Sequence, residues 1–127
     1  MGDVRVTRIF TGDDGQSHFE ELDVPLHGAT YGELSDLVPT AGVMFRSTPP
    51  DGLLGFHTAP RRQFVVTLLG AVEVECGDGT IRRFADGDIM LADDTTGQGH
   101  ISREVGGIRK SLFLPLPDDF DVSPWRA

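Results

Sequence analysis

Between residues 63 and 92 glycine turns cut the chain into runs too short for helices and rich in β-branched and aromatic residues. Val72-Glu73-Val74-Glu75-Cys76 alternates apolar and acidic residues, so one face meets a core and the other meets water. Gly77-Asp78-Gly79 and Asp86-Gly87 are hairpin signals, because tight hairpin turns require positive φ. The runs between them, Gln63 to Leu69, Ile81 to Phe84 and Ile89 to Ala92, read as strands, the last of them apolar throughout, as in a strand buried on both sides.

The same punctuation extends outward. Val4 to Phe10 and Ser17 to Leu22 flank the turn residues Gly12 to Gly15 and make a first hairpin. Gly42 to Ser47, His100 to Val105 and Ile108 to Leu116 read as further strands, with a breaker-rich loop over Thr48 to Gly52. Tyr31 to Leu37 reads as one short helical turn ended by Pro39. The tail from Pro117 to Ala127 has neither period. Roughly nine or ten strands and at most one helix imply an all-β sandwich or barrel. With no dividing linker, residues 1–127 are expected to form one domain.

A net charge of −9 opposes phosphate backbones and anionic headgroups, so neither nucleic acid nor membrane is expected as a partner. Cys76 is the only cysteine and can close no disulfide within the chain. No apolar run reaches the length of a membrane span, and the first residues lack the apolar stretch of a signal peptide. A cytoplasmic location is the expectation.

Chemistry concentrates in His57 to Gly70 and Asp86 to His100. If His57 opens a strand, His57, Ala59, Arg61, Gln63, Val65 and Thr67 share one face, polar at one end and apolar along the rest. That is the pattern of a site at the mouth of a barrel. Parity puts Arg61 in the mouth, where it could hold a carboxylate or phosphate, and leaves Arg62 to ion-pair with a surface acid.

The layout resembles the two motifs of the cupin superfamily. His57 stands at the first histidine position, Ala59 and Gln63 stand where a second histidine and a glutamate are usual, and Gly70 closes the first motif. In the second motif Gly87 matches, Asp93 replaces a common proline, and His100 lies thirteen residues after Gly87, two more than usual. Within the superfamily the segments Ala59 to Phe64 and Asp94 to His100 are similar to those of small stand-alone cupins. The resemblance covers residues 55–100 and implies a double-stranded β-helix, or jelly-roll barrel, with a site of His57, Gln63 and His100 at its mouth.

The substitutions alter what such a site can hold. A usual cupin metal centre has three imidazoles and a carboxylate, whereas Ala59 has no donor atom and Gln63 offers a neutral carbonyl. A divalent metal on His57, Gln63 and His100 would be held weakly, with Asp93 or Asp94 as outside carboxylates; ligand type tolerates zinc, iron, manganese or nickel. Without a metal, His57 and His100 form a general acid/base pair, since an imidazole titrates near neutral pH, while Gln63 and Arg61 orient substrate.

The expectation is therefore a cupin enzyme acting on a small polar or carboxylated metabolite by isomerisation, cyclisation or elimination, metal-assisted or without cofactor. The alternatives are a non-catalytic binding cupin, a metal-dependent oxygenase, and a structural dimer with a vestigial site. Open sheet edges need covering, which predicts a homodimer paired through the N-terminal hairpin. Gly97 and Gly99 are expected to let backbone pass close to a ligand. Asp93 and Asp94 organise their loop, Cys76 is core, His18 is a strand-surface residue, and Trp125 caps the barrel or packs on a second subunit.

Overall fold

The computed structural model describes residues 3–126, and the first two residues and Ala127 lie outside it. The chain is all-β. Twelve strands form among the described residues: β1 (Arg5–Thr11), β2 (Ser17–Asp23), β3 (His27–Ala29), β4 (Gly32–Leu34), β5 (Met44–Thr48) and β6 (Leu53–His57), then β7 (Gln63–Leu69), β8 (Val72–Cys76), β9 (Ile81–Phe84), β10 (Ile89–Asp93), β11 (His100–Glu104) and β12 (Arg109–Pro115). No helix among the described residues is long and apolar enough to cross a membrane.

Six strands make one sheet in the order β2-β1-β10-β7-β12-β5, and four make a second in the order β6-β11-β8-β9. The two sheets do not close into a barrel; they stack. Ile9, Val65, Met90 and Ala92 of the first sheet meet Val74, Cys76 and Phe84 of the second in one apolar core. The alternation over β8 is resolved as expected, with Val72, Val74 and Cys76 buried and both glutamates turned outward.

The larger sheet is covered on its other face too. Val6, Leu22, Phe64 and Leu91 pack there under Leu116, Val122 and Trp125 of the C-terminal tail. This is why β10 is apolar at successive positions: Met90 and Ala92 enter one core and Leu91 the other. The tail is thus an ordered cover with a 3-10 turn at Ser123–Trp125, and Trp125 stacks on Phe64 within its own chain at 6.1 Å between ring centroids.

The helical turn expected over Tyr31–Leu37 does not form. Gly32 takes φ +100°, which an α-helix cannot accommodate, and the segment instead makes the two-stranded β3–β4 hairpin. The N-terminal hairpin forms in the expected place, but the outer edge of β2 is already bridged at Leu22 by Arg126.

Candidate functional site

A cavity of about 570 Å³ lies between the two sheets. Val65, Val72, Val74, Phe84 and Met90 line its apolar part. His57, Gln63 and His100 also line it, so the three expected site residues do converge.

They converge by a different route from the one parity suggested. His57 ends β6 in the smaller sheet, Gln63 begins β7 in the larger, and residues 58–62 are a loop, so no single face runs from 57 to 67. Only Gln63, Val65 and Thr67 share a strand face toward the cavity. Arg61, placed in the mouth by the same parity, is exposed and outside the cavity wall; its Nη1 donates to Gln63 Oε1 at 3.0 Å. Arg62 pairs with an acid as expected, but with the buried Asp93 at 2.7 Å, and it also donates to the carbonyls of Pro117 and Phe120 in the tail.

Local backbone brings the two imidazoles together. β11 pairs with β6 so that His100 stands opposite His57, with 4.4 Å between ring centroids. Gly99 makes this approach feasible: it has φ +77°, and a Cβ there would stand 1.9 Å from the His57 carbonyl oxygen. The close neighbour of Gly99 is therefore the chain itself and not a ligand.

Each ring is held through Nδ1. His57 Nδ1 donates to the Gly55 carbonyl at 2.7 Å, and His100 Nδ1 donates to Asp94 Oδ2 at 2.5 Å. A carbonyl or carboxylate oxygen only accepts, so both protons sit on Nδ1 and both Nε2 lone pairs remain for chemistry. Asp94 is wholly buried, and its Oδ1 has no hydrogen-bond partner among the described residues. Asp94, expected to organise its loop, is thus the group that orients His100, while Asp93 on the opposite strand face pairs with Arg8 and Arg62.

Three cavity residues were invisible in the sequence. Arg109 and Glu104 pair through two contacts, 2.7 and 3.1 Å, across the Gly106-Gly107 turn. Arg46 of β5 lies over the Phe113 ring at 5.5 Å and has no carboxylate in ion-pair range among the described residues. No local pattern marks Arg46, because its role depends on which strand β5 joins. Cys76 is buried in the core, and burial pushes its thiol pKa up to about 12, so it is inert where it stands.

Among the described residues no group of three or more His, Cys, Asp or Glu side chains is gathered for an ion. His57 and His100 supply two nitrogens, but Gln63 Oε1 already accepts from a guanidinium, whose charge opposes a cation.

Neither a protein-family model nor a curated protein matches the sequence. Solved structures of similar shape include a conserved protein of unknown function from Streptococcus pyogenes, with TM-score 0.48 and 20% identity over 66% of this chain and 71% of that one. A protein from Neisseria meningitidis gives 0.47 and 19% over 61% and 78%. A protein named for ethanolamine utilization, protein Q, from Salmonella typhimurium LT2 gives 0.48 and 16% over 94% and 100%.

Proposed function

We propose that this chain is a cupin-type jelly roll whose cavity binds a small carboxylated metabolite and moves a proton on it. The fold reading rests on strand order. Counting β5 to β12 as one to eight, the sheets run 1-8-3-6 and 2-7-4-5, the double Greek key of a jelly roll, with the β1–β2 hairpin added beside β10.

The single observation that carries the chemistry is the imidazole pair, 4.4 Å apart, with both Nδ1 atoms occupied by acceptors. With each Nδ1 bonded to an acceptor, each ring presents Nε2 for proton transfer, and one neutral imidazole can take a proton from a carbon next to a carbonyl. The other, as imidazolium, returns a proton at a second position, so the charge of the pair is conserved over an isomerisation. Buried Asp94 fixes the ring orientation and tautomer of His100, as a carboxylate does for any imidazole it orients. The Gln63 amide N–H₂ is placed to donate to the oxygen on which charge develops. Arg46, held over Phe113 and free of a carboxylate, is placed to take the substrate carboxylate in the role assigned from sequence to Arg61.

The test uses protein purified without chelator, a panel of small 2-oxo acids in D₂O, and proton NMR to follow exchange at C3, the carbon next to the oxo group. Wild type is expected to catalyse exchange. His57→Ala and His100→Ala should each lower it about 10²–10⁴-fold, the usual contribution of general acid–base catalysis. Asp94→Asn should lower it at least about tenfold, since an amide can donate to Nδ1 and impose the wrong tautomer. Binding without exchange would refute the catalytic reading in favour of a binding protein. A stoichiometric transition metal, lost in both histidine variants, would refute the metal-free reading.

A further inference from the structure

The cavity has a second polar end that the imidazole chemistry does not use. On β11 the side chains of His100, Ser102 and Glu104 all line it, so one strand face carries the wall from the imidazole pair to a carboxylate. On β12 the order is the same: Pro115 stands opposite Gln63, Phe113 lies under the Arg46 guanidinium, and Arg109 lines the far end. Between the two ends the wall is apolar, with Val65, Val74 and Met90.

Glu104 and Arg109 are buried, with side chains 4% and 9% exposed, and they pair through Nε to Oε1 at 2.7 Å and Nη2 to Oε2 at 3.1 Å. Gly52 accepts the Glu104 backbone N–H at 2.8 Å, and a Cβ there would stand 2.9 Å from Glu104 Cγ, so the loop before β6 packs directly on the glutamate. Thr48, opposite Arg109 on β5, also lines this end, and its buried Oγ1 has no hydrogen-bond partner among the described residues. A buried hydroxyl is nearly always paired. Desolvation offsets most of the attraction within a buried ion pair, so stability alone gives little reason for two charges beside an apolar cavity.

Charge and valence specify what this end can hold. Glu104 and Arg109 cancel, so a second carboxylate would be repelled by one member while the other is already matched. Donors and acceptors remain all the same: Glu104 takes only two of the guanidinium N–H groups, and each carboxylate oxygen keeps a lone pair. A hydroxyl both donates and accepts, so it satisfies such a pair without adding charge, and Thr48, after rotation about χ1, supplies a further partner. His100 and Glu104 lie four residues apart on β11, about 13 Å at roughly 3.3 Å each. Less a contact of about 3 Å at either end, that leaves about 7 Å, the reach of a chain of about six carbons. Resting on the carboxylate reading of Arg46 above, we propose that Glu104, Arg109 and Thr48 form a distal subsite, selecting among carboxylic acids those that end in a hydroxyl.

Equilibrium binding of hexanoate, 6-hydroxyhexanoate and adipate to the full chain, followed by amide chemical shifts, tests this. Wild type should bind 6-hydroxyhexanoate at least about tenfold more tightly than hexanoate, and adipate more weakly than either. Thr48→Val removes a hydroxyl that has no partner in the fold, so it should leave hexanoate binding unchanged and cut the advantage of 6-hydroxyhexanoate at least about threefold. Glu104→Gln leaves Arg109 without a carboxylate, so the order should reverse and adipate should bind most tightly. Equal affinities for hexanoate and 6-hydroxyhexanoate in wild type would overturn the proposal, as would adipate ranking first there, a Thr48→Val variant that keeps the full advantage, or no binding of any of the three. Pyruvate is too short to reach Glu104, so solvent exchange at its C3 judges the imidazole chemistry alone. Exchange without hydroxyl selectivity sinks the subsite and leaves that chemistry standing, and selectivity without exchange does the reverse.

Discussion

Replacing Gly99 by alanine isolates the contact that joins the two imidazoles. An alanine forced to φ +77° costs roughly 1–2 kcal/mol in backbone strain alone. The added Cβ also meets the His57 carbonyl oxygen at 1.9 Å, against an ordinary contact of 3.4 Å or more, so β6 and β11 must separate by about 1.5 Å. No hydrogen bond tolerates that displacement, and losing the buried pairing beside His57 and His100 adds about 1–3 kcal/mol. The total is about 2–5 kcal/mol, or on the order of 10–20 °C in Tm for a chain of this size. Gly107→Ala is the internal reference: its φ is +78°, yet nothing lies within 4 Å of its Cβ position, so it reports strain without overlap. Urea unfolding of the two variants in parallel should show Gly99→Ala the less stable by at least about 1 kcal/mol, an increment set by the lost hydrogen bonding. If the two agree within about 0.5 kcal/mol, the spread of an ordinary surface change, the close approach does not constrain the site and the reasoning fails.

Trp125→Ala should cost about 3–5 kcal/mol by urea midpoint, because the ring is buried with Phe64 and Phe120 over the outer face of the larger sheet; a loss below about 1 kcal/mol would show the tail to be a loose cover. Cys76 should stay unreactive toward a disulfide reagent at pH 8 in the folded protein and react fully in urea, since burial pushes its thiol to about 12. The His18 imidazole, bonded to Asp14 and Asp78 at 3.0 Å, has its pKa raised above the ordinary 6.5, chiefly by Asp14. Its stabilising contribution is therefore complete below pH 6.5 and lost as pH rises through the raised value. The two carboxylates, both lowered below 3.8 in pKa, contribute above that value and lose their contribution as pH falls. An NMR titration should find His18 above 6.5 and returning toward it more in Asp14→Asn than in Asp78→Asn; a midpoint at or below 6.5 in wild type contradicts the geometry.

Strand identity was written in the sequence wherever local chemistry decides it. β7, β8 and β9 begin and end at the residues that alternation and glycine turns mark, because turn type and side-chain period act within a few neighbouring residues. The apolar run of β10 announced burial on both sides for the same reason. The segment at 31–37 misled because its pattern is compatible with a helix, and only the φ of Gly32 and the lack of a core to pack on excluded one.

Only the tertiary structure decided which strands lie side by side. It set His57 and Gln63 on different sheets, moved Arg61 out of the cavity and Arg46 into its wall, and turned Asp94 from a loop residue into the partner of His100. These are contacts between residues far apart along the chain, or across a turn whose angle no short window specifies. A parity argument that runs through a loop loses its reference frame at the first residue that leaves the strand, which is why residues that do line one cavity were gathered for the wrong geometric reason.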